Sequence, residues 1–179
     1  MSQKKEKPSL LFFGPPGVGK STVAKIVGDE YGFAFYEGDD EMTGEERKLV
    51  SNGQWGDANR RFLLSRMGTR IDQLYDGSNL GLVTAAAMTK EWMREFLQEQ
   101  TIVFLQLVLV VSLVSQSEME KKVADRHAAG HPITVEAFRR FTQQFEPPKI
   151  QHFKISNPQD PARQWELIEQ MDKILKQLK

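Results

Sequence analysis

The chain has 179 residues, with 24 Lys and Arg against 24 Asp and Glu, no cysteine and a hydrophobic fraction of 40%. This length and composition are typical of one folded domain, which we expect to span residues 1–179, and not of a disordered chain. The lack of cysteine excludes disulfides, thiolate metal ligands and cysteine nucleophiles. A net charge of zero argues against a general nucleic-acid-binding protein, which carries a basic excess.

Apolar, β-rich runs alternate with helical patterns in the first half of the chain. In chain order the pattern predicts a strand over 9–13, a helix over 20–31, a short strand over 33–36, a mostly helical stretch over 43–76 broken at 52–53, a strand over 80–86 and a helix over 90–100. Such alternation is typical of an α/β protein with a parallel sheet.

The second half continues the alternation. The apolar run 101–114 is longer than an ordinary strand of about 5–6 residues, so we expect a strand only near 109–114. Helices are predicted over 118–129 and 136–145, a last strand over 149–155, and a final helix that Pro161 opens with Asp160 as its N-cap. Helical spacing predicts that this final helix buries Trp165, Ile168, Met171, Leu175 and Leu178. The whole pattern predicts a doubly wound parallel sheet of about five strands, with helices on both faces.

The sequence shows neither a secretory signal pattern nor a membrane span. The first seven residues are polar and rich in lysine, and the longest apolar run, 102–114, is interrupted by Gln106 and Ser112. A membrane-spanning helix needs roughly 20 apolar residues, so this run predicts a buried element instead. We therefore expect a cytoplasmic protein.

One strong motif, a phosphate-binding loop, lies between the first predicted strand and the first predicted helix. Its pattern is G-x-x-x-x-G-K-[ST], and its residues are Gly14, Pro15, Pro16, Gly17, Val18, Gly19, Lys20, Ser21 and Thr22. The glycines let successive backbone N–H groups point at phosphate oxygens, and the helix adds the positive end of its dipole. We predict that all nine residues bind nucleotide, that Lys20 is catalytic and reaches the β- and γ-phosphates, and that Ser21 ligates Mg²⁺. ATP and Mg²⁺ are thus the predicted cofactors.

Acidic residues cluster directly after the second predicted strand, inside a stretch from 28 to 46 that contains no Lys or Arg. Ligands of open α/β sheets bind at the carboxyl ends of the strands, where Glu37, Asp39 and Asp40 would stand. We predict that Asp39 is catalytic, accepting a proton from a substrate hydroxyl, and that it also helps to hold Mg²⁺ through water. All three carboxylates are predicted to bind substrate.

Basic residues follow this acidic stretch and recur in the C-terminal half. Arg60 is predicted to bind an anionic group of the substrate, with Arg61 as a weaker candidate for the same role. Arg126 is predicted to lie on a helical lid of approximately residues 126–148. A phosphoryl-transfer site needs cations over the transferred group, so Arg126 is assigned both a catalytic and a nucleotide-binding role.

Taken together, these residues resemble the small P-loop sugar-acid and shikimate kinases, and most of all the gluconate kinase family. Besides the phosphate loop, residues 35–40 resemble the family's strand that ends in Asp-Gly-Asp, and residues 53–60 resemble its Gly-x-Pro-Leu-x-Asp-x-Asp-Arg segment. Residues 126–131, followed by 145–148, resemble its lid and the Leu-Glu-x-Pro that closes the lid. The resemblance spans nearly the whole chain.

The chain departs from this family at several positions near the expected substrate. Glu37 stands in place of the family's first Asp, and Glu41 and Met42 replace its His-Pro. Where the family has Ser-Ala-Leu-Lys, residues 86–90 read Ala-Ala-Met-Thr-Lys, which places the lysine one position later. The resemblance therefore supports the reaction class more strongly than the substrate.

The resemblance implies a three-layer P-loop NTPase fold and an ATP-dependent kinase that phosphorylates a hydroxyl of gluconate or a related sugar acid. It also implies that the adenine lies near Asn157. Two alternatives stay open, a nucleoside monophosphate or shikimate-type kinase and a nucleotide-binding regulatory protein without phosphotransfer. The expected partners are the small-molecule substrate and ATP, without nucleic acid or membrane, in a monomer or homodimer.

Overall fold

A computed structural model describes residues 7–129 and 133–178. Its five strands are β1 (Ser9–Phe13), β2 (Ala34–Glu37), β3 (Leu82–Ala85), β4 (Gln106–Ser112) and β5 (Phe153–Asn157). All neighbouring strands pair in parallel, in the order β2-β3-β1-β4-β5. The predicted parallel sheet of about five strands is confirmed.

Helices connect the strands. They are α1 (Lys20–Tyr31), α2 (Gly44–Ser51), α3 (Asp57–Gly77), α4 (Glu91–Gln100), α5 (Gln116–Ala128), α6 (Val135–Gln143) and α7 (Gln164–Gln177), with short 3-10 helices at Gly38–Glu41 and Pro161–Arg163. α2 ends at Ser51, so the predicted break at 52–53 is confirmed. Thr43 begins α2 with a capping box, in which its side chain and that of Glu46 each accept the other's backbone N–H.

β1 lies at the centre of the sheet and is buried on both faces. Leu10 and Phe12 pack in the cluster that α1 and α7 cover, whereas Leu11 and Phe13 pack in the cluster that α3 and α4 cover. A strand covered on both sides needs an uninterrupted apolar sequence rather than an alternating one. This is why all residues of β1 are apolar except Ser9, at its start.

The order of the strands reverses direction at β1. From β1 the chain builds β2 and β3 on one side of the sheet and β4 and β5 on the other. At such a point the connections leave the carboxyl end of the sheet in opposite directions and open a crevice. The phosphate loop begins in that crevice, directly after Phe13.

The positions of the last two strands differ from the prediction. β4 covers 106–112 rather than 109–114, and β5 covers 153–157 rather than 149–155. Side chains hold the backbone outside both strands: the Asp72 carboxylate accepts the N–H groups of Ile102 and Val103, and the Glu91 carboxylate accepts those of Lys149 and Ile150. These N–H groups therefore do not join a strand ladder, whatever the local apolar pattern.

The final helix buries a different face from the predicted one. Asp160 caps the 3-10 helix that precedes α7, and its carboxylate accepts the N–H of Ala162. Because α7 starts only at Gln164, its buried residues are Leu167, Met171 and Ile174, whereas Trp165 is 59% exposed. Of the residues predicted to be buried, only Met171 is fully buried, and Ile168, Leu175 and Leu178 are partly buried.

The predicted lid, approximately residues 126–148, begins in the last turn of α5 and includes α6. Gly130 and His131, which belong to the same prediction, lie outside the described residues. Within the described ranges, no helix combines the length and the apolar sequence that a bilayer-spanning segment needs.

Candidate active site

The phosphate loop joins β1 to α1, and two of its glycines are required by space as well as by conformation. Gly17 and Gly19 have φ of 77° and 83°, in the left-handed region that favours glycine. A Cβ at Gly17 would lie 2.8 Å from the Phe138 ring, and one at Gly19 would lie 2.4 Å from Nδ2 of Asn157. The loop is therefore packed between α6 and the end of β5.

The other loop residues are divided between the core and the surface. Val18 is buried in the same cluster as α1 and α7, and a Cβ at Gly14 would lie 2.5 Å from the Val110 carbonyl oxygen. Thr22 is exposed on the first turn of α1. Lys20 begins α1, and its Nζ donates a hydrogen bond of 3.0 Å to the carbonyl of Pro15, across the loop.

Lys20 lies beside the acidic end of β2. Burial lowers the pKa of the Lys20 ammonium, while the negative charges of Asp39 and Glu37 oppose that shift. Lys20 is therefore a partly buried lysine close enough to both carboxylates for their charges to act on its pKa. The structure thus brings the loop lysine and the predicted catalytic carboxylate together.

The carboxylates themselves are perturbed in the opposite direction. Burial raises the pKa of Glu37, and a hydrogen bond from the Ser21 side chain partly counteracts this rise. Burial also raises the pKa of Asp39, while the charges of Lys20 and Arg47 act against it. Asp40 is exposed, but its charge adds to the rise in both pKa values. Glu37, predicted only as a substrate ligand, therefore also shares a hydrogen bond with the loop serine.

The hydroxyl and carboxylate oxygens of Ser21, Glu37 and Asp39 are ligands that Mg²⁺ prefers. Among residues 7–129 and 133–178, no three His, Cys, Asp or Glu side chains converge as a metal cage. Mg²⁺ in nucleotide sites is held by one or two protein oxygens together with phosphates and water, so this arrangement fits it.

Arg60 lies at the start of α3, in a small cluster of charges that includes a residue missed by the sequence analysis. Its Nη1 is 2.8 Å from Oδ1 of Asp57, and the Lys90 Nζ is 3.5 Å from the same oxygen. Arg60 is only 12% exposed at its side chain, whereas Asp57 is 54% exposed. Two cations therefore share one solvent-facing carboxylate. The sequence analysis noted Lys90 only as a lysine one position later than in the resembling family, and its contact with α3 depends on how the β3–α4 loop folds back.

Arg61, the weaker anion-binding candidate, faces away from this cluster. Its guanidinium lies 4.8 Å from the Trp92 ring centre and 4.9 Å from that of Phe96. A guanidinium over two aromatic rings is held by cation–π attraction and packing. The structure therefore separates the roles of these two adjacent arginines.

Arg126 is exposed in the last turn of α5 and makes no hydrogen bond or ion pair with the loop within the described part of the chain. The residue of the predicted lid region that does reach the loop is Phe138 of α6, which is 1% exposed and packs on Gly17. Phe138 was not predicted. Its signal was the strongly amphipathic pattern of α6, on which it is the buried residue.

Asn157, at the end of β5, is buried and holds the loop. Its Nδ2 donates a hydrogen bond of 2.8 Å to the Val18 carbonyl, and its Oδ1 accepts the Gln159 backbone N–H at 2.9 Å. The adenine contact assigned to Asn157 stays a prediction. What the structure adds is a second role, as a brace beneath the phosphate loop.

A buried arginine fixes the loop that carries Lys90. Arg94 of α4 is fully buried and donates to the carbonyls of Met88 at 2.8 Å and Glu146 at 3.0 Å. It also forms an ion pair with Glu91, which in turn accepts the two N–H groups after Pro148. Arg94 therefore joins the loop after β3 to the segment that follows α6.

Comparison with known proteins agrees with this architecture. A family model described as the AAA domain matches residues 10–148. This range includes the phosphate loop, the acidic end of β2 and every helix and strand from β1 to α6 apart from Ser9, the first residue of β1. A shikimate kinase from Saccharopolyspora erythraea is 28% identical over 102 residues, a stretch that covers 57% of this chain and 58% of that enzyme. The chain thus matches less than two thirds of that relative's length.

Solved structures match nearly the whole chain, a gluconokinase and a sugar kinase among them. A gluconokinase from Sinorhizobium meliloti is 22% identical, covers 98% of this chain and 97% of its own, and has a TM-score of 0.75. A sugar kinase from Janibacter sp. is 21% identical, covers 95% of both chains and has a TM-score of 0.76. At this identity the likeness concerns the fold, and it confirms the predicted P-loop NTPase fold.

Proposed function

The chain belongs to the AAA domain family, and from this premise we propose that it is a kinase that transfers a phosphoryl group from ATP to a hydroxyl of a small anionic metabolite, a sugar acid first of all. One observation carries the proposal: the charges and hydrogen-bonding groups of Lys20, Ser21, Glu37 and Asp39 act on one another at the carboxyl edge of the sheet, where the chain leaves β1 and β2 on either side of β3. A nucleotide site alone needs the first two residues but not a pair of partly buried carboxylates beside them.

The loop and the first turn of α1 would hold the nucleotide. Backbone N–H groups of a loop of this sequence cradle phosphates, and Lys20 would contact the β- and γ-phosphates. Ser21 would ligate Mg²⁺ directly, with Glu37 or Asp39 holding it through water. Bound Mg²⁺ neutralises charge on the phosphates as the transfer proceeds. Arg126 would add a positive charge over the transferred group when α5 and α6 close on the site.

Asp39 would accept the proton of the attacking hydroxyl or orient that hydroxyl. Its raised pKa favours this role, because a base is more effective when its pKa lies closer to the working pH. The positive charge of the Lys20 ammonium limits this rise in the pKa of Asp39. Catalysis would then rest on position and charge.

Arg60 and Lys90 would bind the anionic group of the acceptor. Both cations already contact Asp57, which is half exposed and offers only one carboxylate to the two of them. A carboxylate on the acceptor would complete the neutralisation of this pair. A shikimate-type acid satisfies the same requirement and is the second candidate acceptor, which the sequence match to a shikimate kinase favours.

The test is ATP-dependent ADP release with a panel of sugar acids, shikimate and nucleoside monophosphates. Each is compared with the release observed without acceptor. We expect turnover above this background with a carboxylic acid. An absence of turnover with every member of the panel would refute the proposed class of substrate.

The adjacent arginines provide a matched control for the acceptor site. Arg60→Met is expected to raise the KM for the acceptor by about tenfold or more, because it removes a partly buried charge-assisted contact. Arg61→Met removes the same charge one residue away, where the guanidinium packs on Trp92 and Phe96. Equal effects of the two variants on the KM would contradict the assignment of Arg60.

A further inference from the structure

Two consecutive carbonyls of the phosphate loop accept hydrogen bonds from the last residue of β5 and from the turn that follows it. The Gly17 carbonyl accepts a hydrogen bond of 3.1 Å from Nε2 of Gln159, and the Val18 carbonyl accepts one of 2.8 Å from Nδ2 of Asn157. These two side chains are joined in turn, because the Gln159 backbone N–H donates to Oδ1 of Asn157 at 2.9 Å.

Holding these carbonyls also fixes the direction of two N–H groups. In a trans peptide the carbonyl and the following N–H point in opposite directions. The Gly17 carbonyl shares a peptide plane with the N–H of Val18, and the Val18 carbonyl shares one with that of Gly19. Fixing both carbonyls against the β5 turn therefore directs both N–H groups to the opposite side of the loop, away from that turn.

The Gln159 amide is the more connected of the two and has only one orientation that satisfies its partners. Its Nε2 also donates to the Ser112 hydroxyl at 2.8 Å, and its Oε1 accepts from the Lys122 Nζ at 2.9 Å. The Gly17 carbonyl can only accept and the lysine can only donate, so the amide cannot be exchanged end for end. The backbone of Gln159 has φ of 55°, the only positive φ of a non-glycine residue in the described ranges. That conformation costs about 1 kcal/mol or more at such a residue and persists only when its surroundings require it.

Lys122 connects this amide to the helix that carries Arg126. The two residues stand four positions apart on α5, and residues so spaced lie on the same face of a helix. Movement of α5 therefore acts on the Gln159 amide through its Oε1, while the Nε2 of the same amide holds the loop. Among the described residues, no other side-chain hydrogen bond links α5 to the turn after β5.

We propose that Gln159 is a positioning residue that couples the position of α5 to the shape of the phosphate loop. Its hydrogen bond to the Gly17 carbonyl fixes the direction of the Val18 N–H, which would bind phosphate. Its hydrogen bond from Lys122 connects it to α5, the helix that carries Arg126. The proposal rests on the proposed nucleotide site, and it adds a residue that contacts neither nucleotide nor acceptor in that scheme.

Two variants separate the two halves of the coupling. Gln159→Gly keeps the left-handed backbone at no conformational cost but removes the amide. We expect it to weaken ADP binding, measured by calorimetry, by about fivefold, as the loss of one net hydrogen bond predicts. The preference for ADP over AMP should fall as well, whereas the melting temperature without nucleotide should not. Lys122→Met removes only the contact with α5, so it should leave ADP affinity unchanged and lower kcat.

Lys121→Met is the matched control for the helix, since Lys121 is the exposed neighbour of Lys122 and makes no side-chain hydrogen bond that the structure describes. In the variant that combines Gln159→Gly with Lys122→Met, the second substitution should cause no further loss of kcat, because the amide that Lys122 contacts is already absent. Wild-type ADP affinity and nucleotide preference in Gln159→Gly, or additive effects in the double variant, would overturn the coupling. A wild-type protein that does not bind ADP would instead refute the proposed function.

Discussion

Replacement of Arg94 by methionine is expected to destabilise the protein by about 3 kcal/mol. Arg94 donates hydrogen bonds to the carbonyls of Met88 and Glu146 and pairs with the Glu91 carboxylate. Its side chain is 0% exposed, and methionine offers no donor to any of these acceptors. The substitution therefore leaves a charge and two carbonyls without their partner, which is the costly way to break a buried ion pair.

The size of this loss in unfolding free energy depends on how far water can replace the hydrogen bonds that the substitution removes. Breaking a buried pair typically costs about 3–5 kcal/mol. The lower end applies here, because Glu91 is 16% exposed at its side chain and keeps the N–H donors of Lys149 and Ile150. A methionine would also retain apolar contact with the Phe13 ring, over which the guanidinium now lies at 5.3 Å. For a chain of this length, about 3 kcal/mol corresponds to a fall in melting temperature of about 6–12 °C.

Urea denaturation followed by circular dichroism measures the free energy of unfolding. Arg163→Met is the matched control, since Arg163 also pairs with a glutamate three residues away, Glu166, but is 48% exposed. Its denaturation midpoint should equal that of the wild type, because exposed pairs contribute little. A loss below about 1 kcal/mol in Arg94→Met, or equal midpoints in the two variants, would refute the reasoning from burial.

Three further predictions concern the candidate site. Lys20→Met should weaken ATP binding by about 100-fold in calorimetry, because a partly buried, charge-assisted contact with phosphate is lost. Asp40→Asn should lower the pKa of Asp39, measured by NMR titration of the carboxyl carbon, since the negative charge of Asp40 raises that pKa. Gly17→Ala should speed hydrogen exchange in α6 and weaken ATP binding, because the new Cβ would lie 2.8 Å from the Phe138 ring at a φ of 77°.

Each of these variants has a control within the chain. Lys25→Met removes an exposed lysine of the same helix and should leave ATP affinity unchanged. Glu45→Gln removes an exposed charge on α2 that does not contribute to the pKa of Asp39. Gly77→Ala adds a methyl group where no atom lies within 4 Å of it. A control that behaves like its partner variant would contradict the corresponding argument.

Local patterns predicted most of the fold, because the signals that define these elements are local. The strand Ser9–Phe13 and the helix Lys20–Tyr31 are at their predicted positions, since an uninterrupted apolar run and the phosphate-loop motif leave little alternative. β4 and β5 were displaced because their limits depend on distant residues. β4 begins at Gln106 because it pairs in register with β1 from Leu10 onward. β5 begins later than predicted because the Glu91 carboxylate accepts the backbone N–H groups of Lys149 and Ile150, which the local sequence assigns to a strand.

The candidate site was predictable where a motif or a strand end named the residue. Lys20 and Asp39 could be expected to meet, because the carboxyl ends of parallel strands share one edge of the sheet. The contacts of Lys90, Phe138 and Gln159 could not be predicted in this way. Each depends on how a loop or helix returns to the site, and no spacing in the sequence encodes that return.

The most direct test of the proposed function is phosphoryl transfer from ATP to a sugar acid, measured beside the sugar alcohol of the same chain length, with the product identified by mass spectrometry. The two acceptors offer similar hydroxyls but differ in the carboxylate that Arg60 and Lys90 would bind. We predict a phosphorylated acid, formed with a kcat/KM at least about tenfold above that of the alcohol. ATP binding without transfer to either acceptor, or equal kcat/KM for both, would contradict the account.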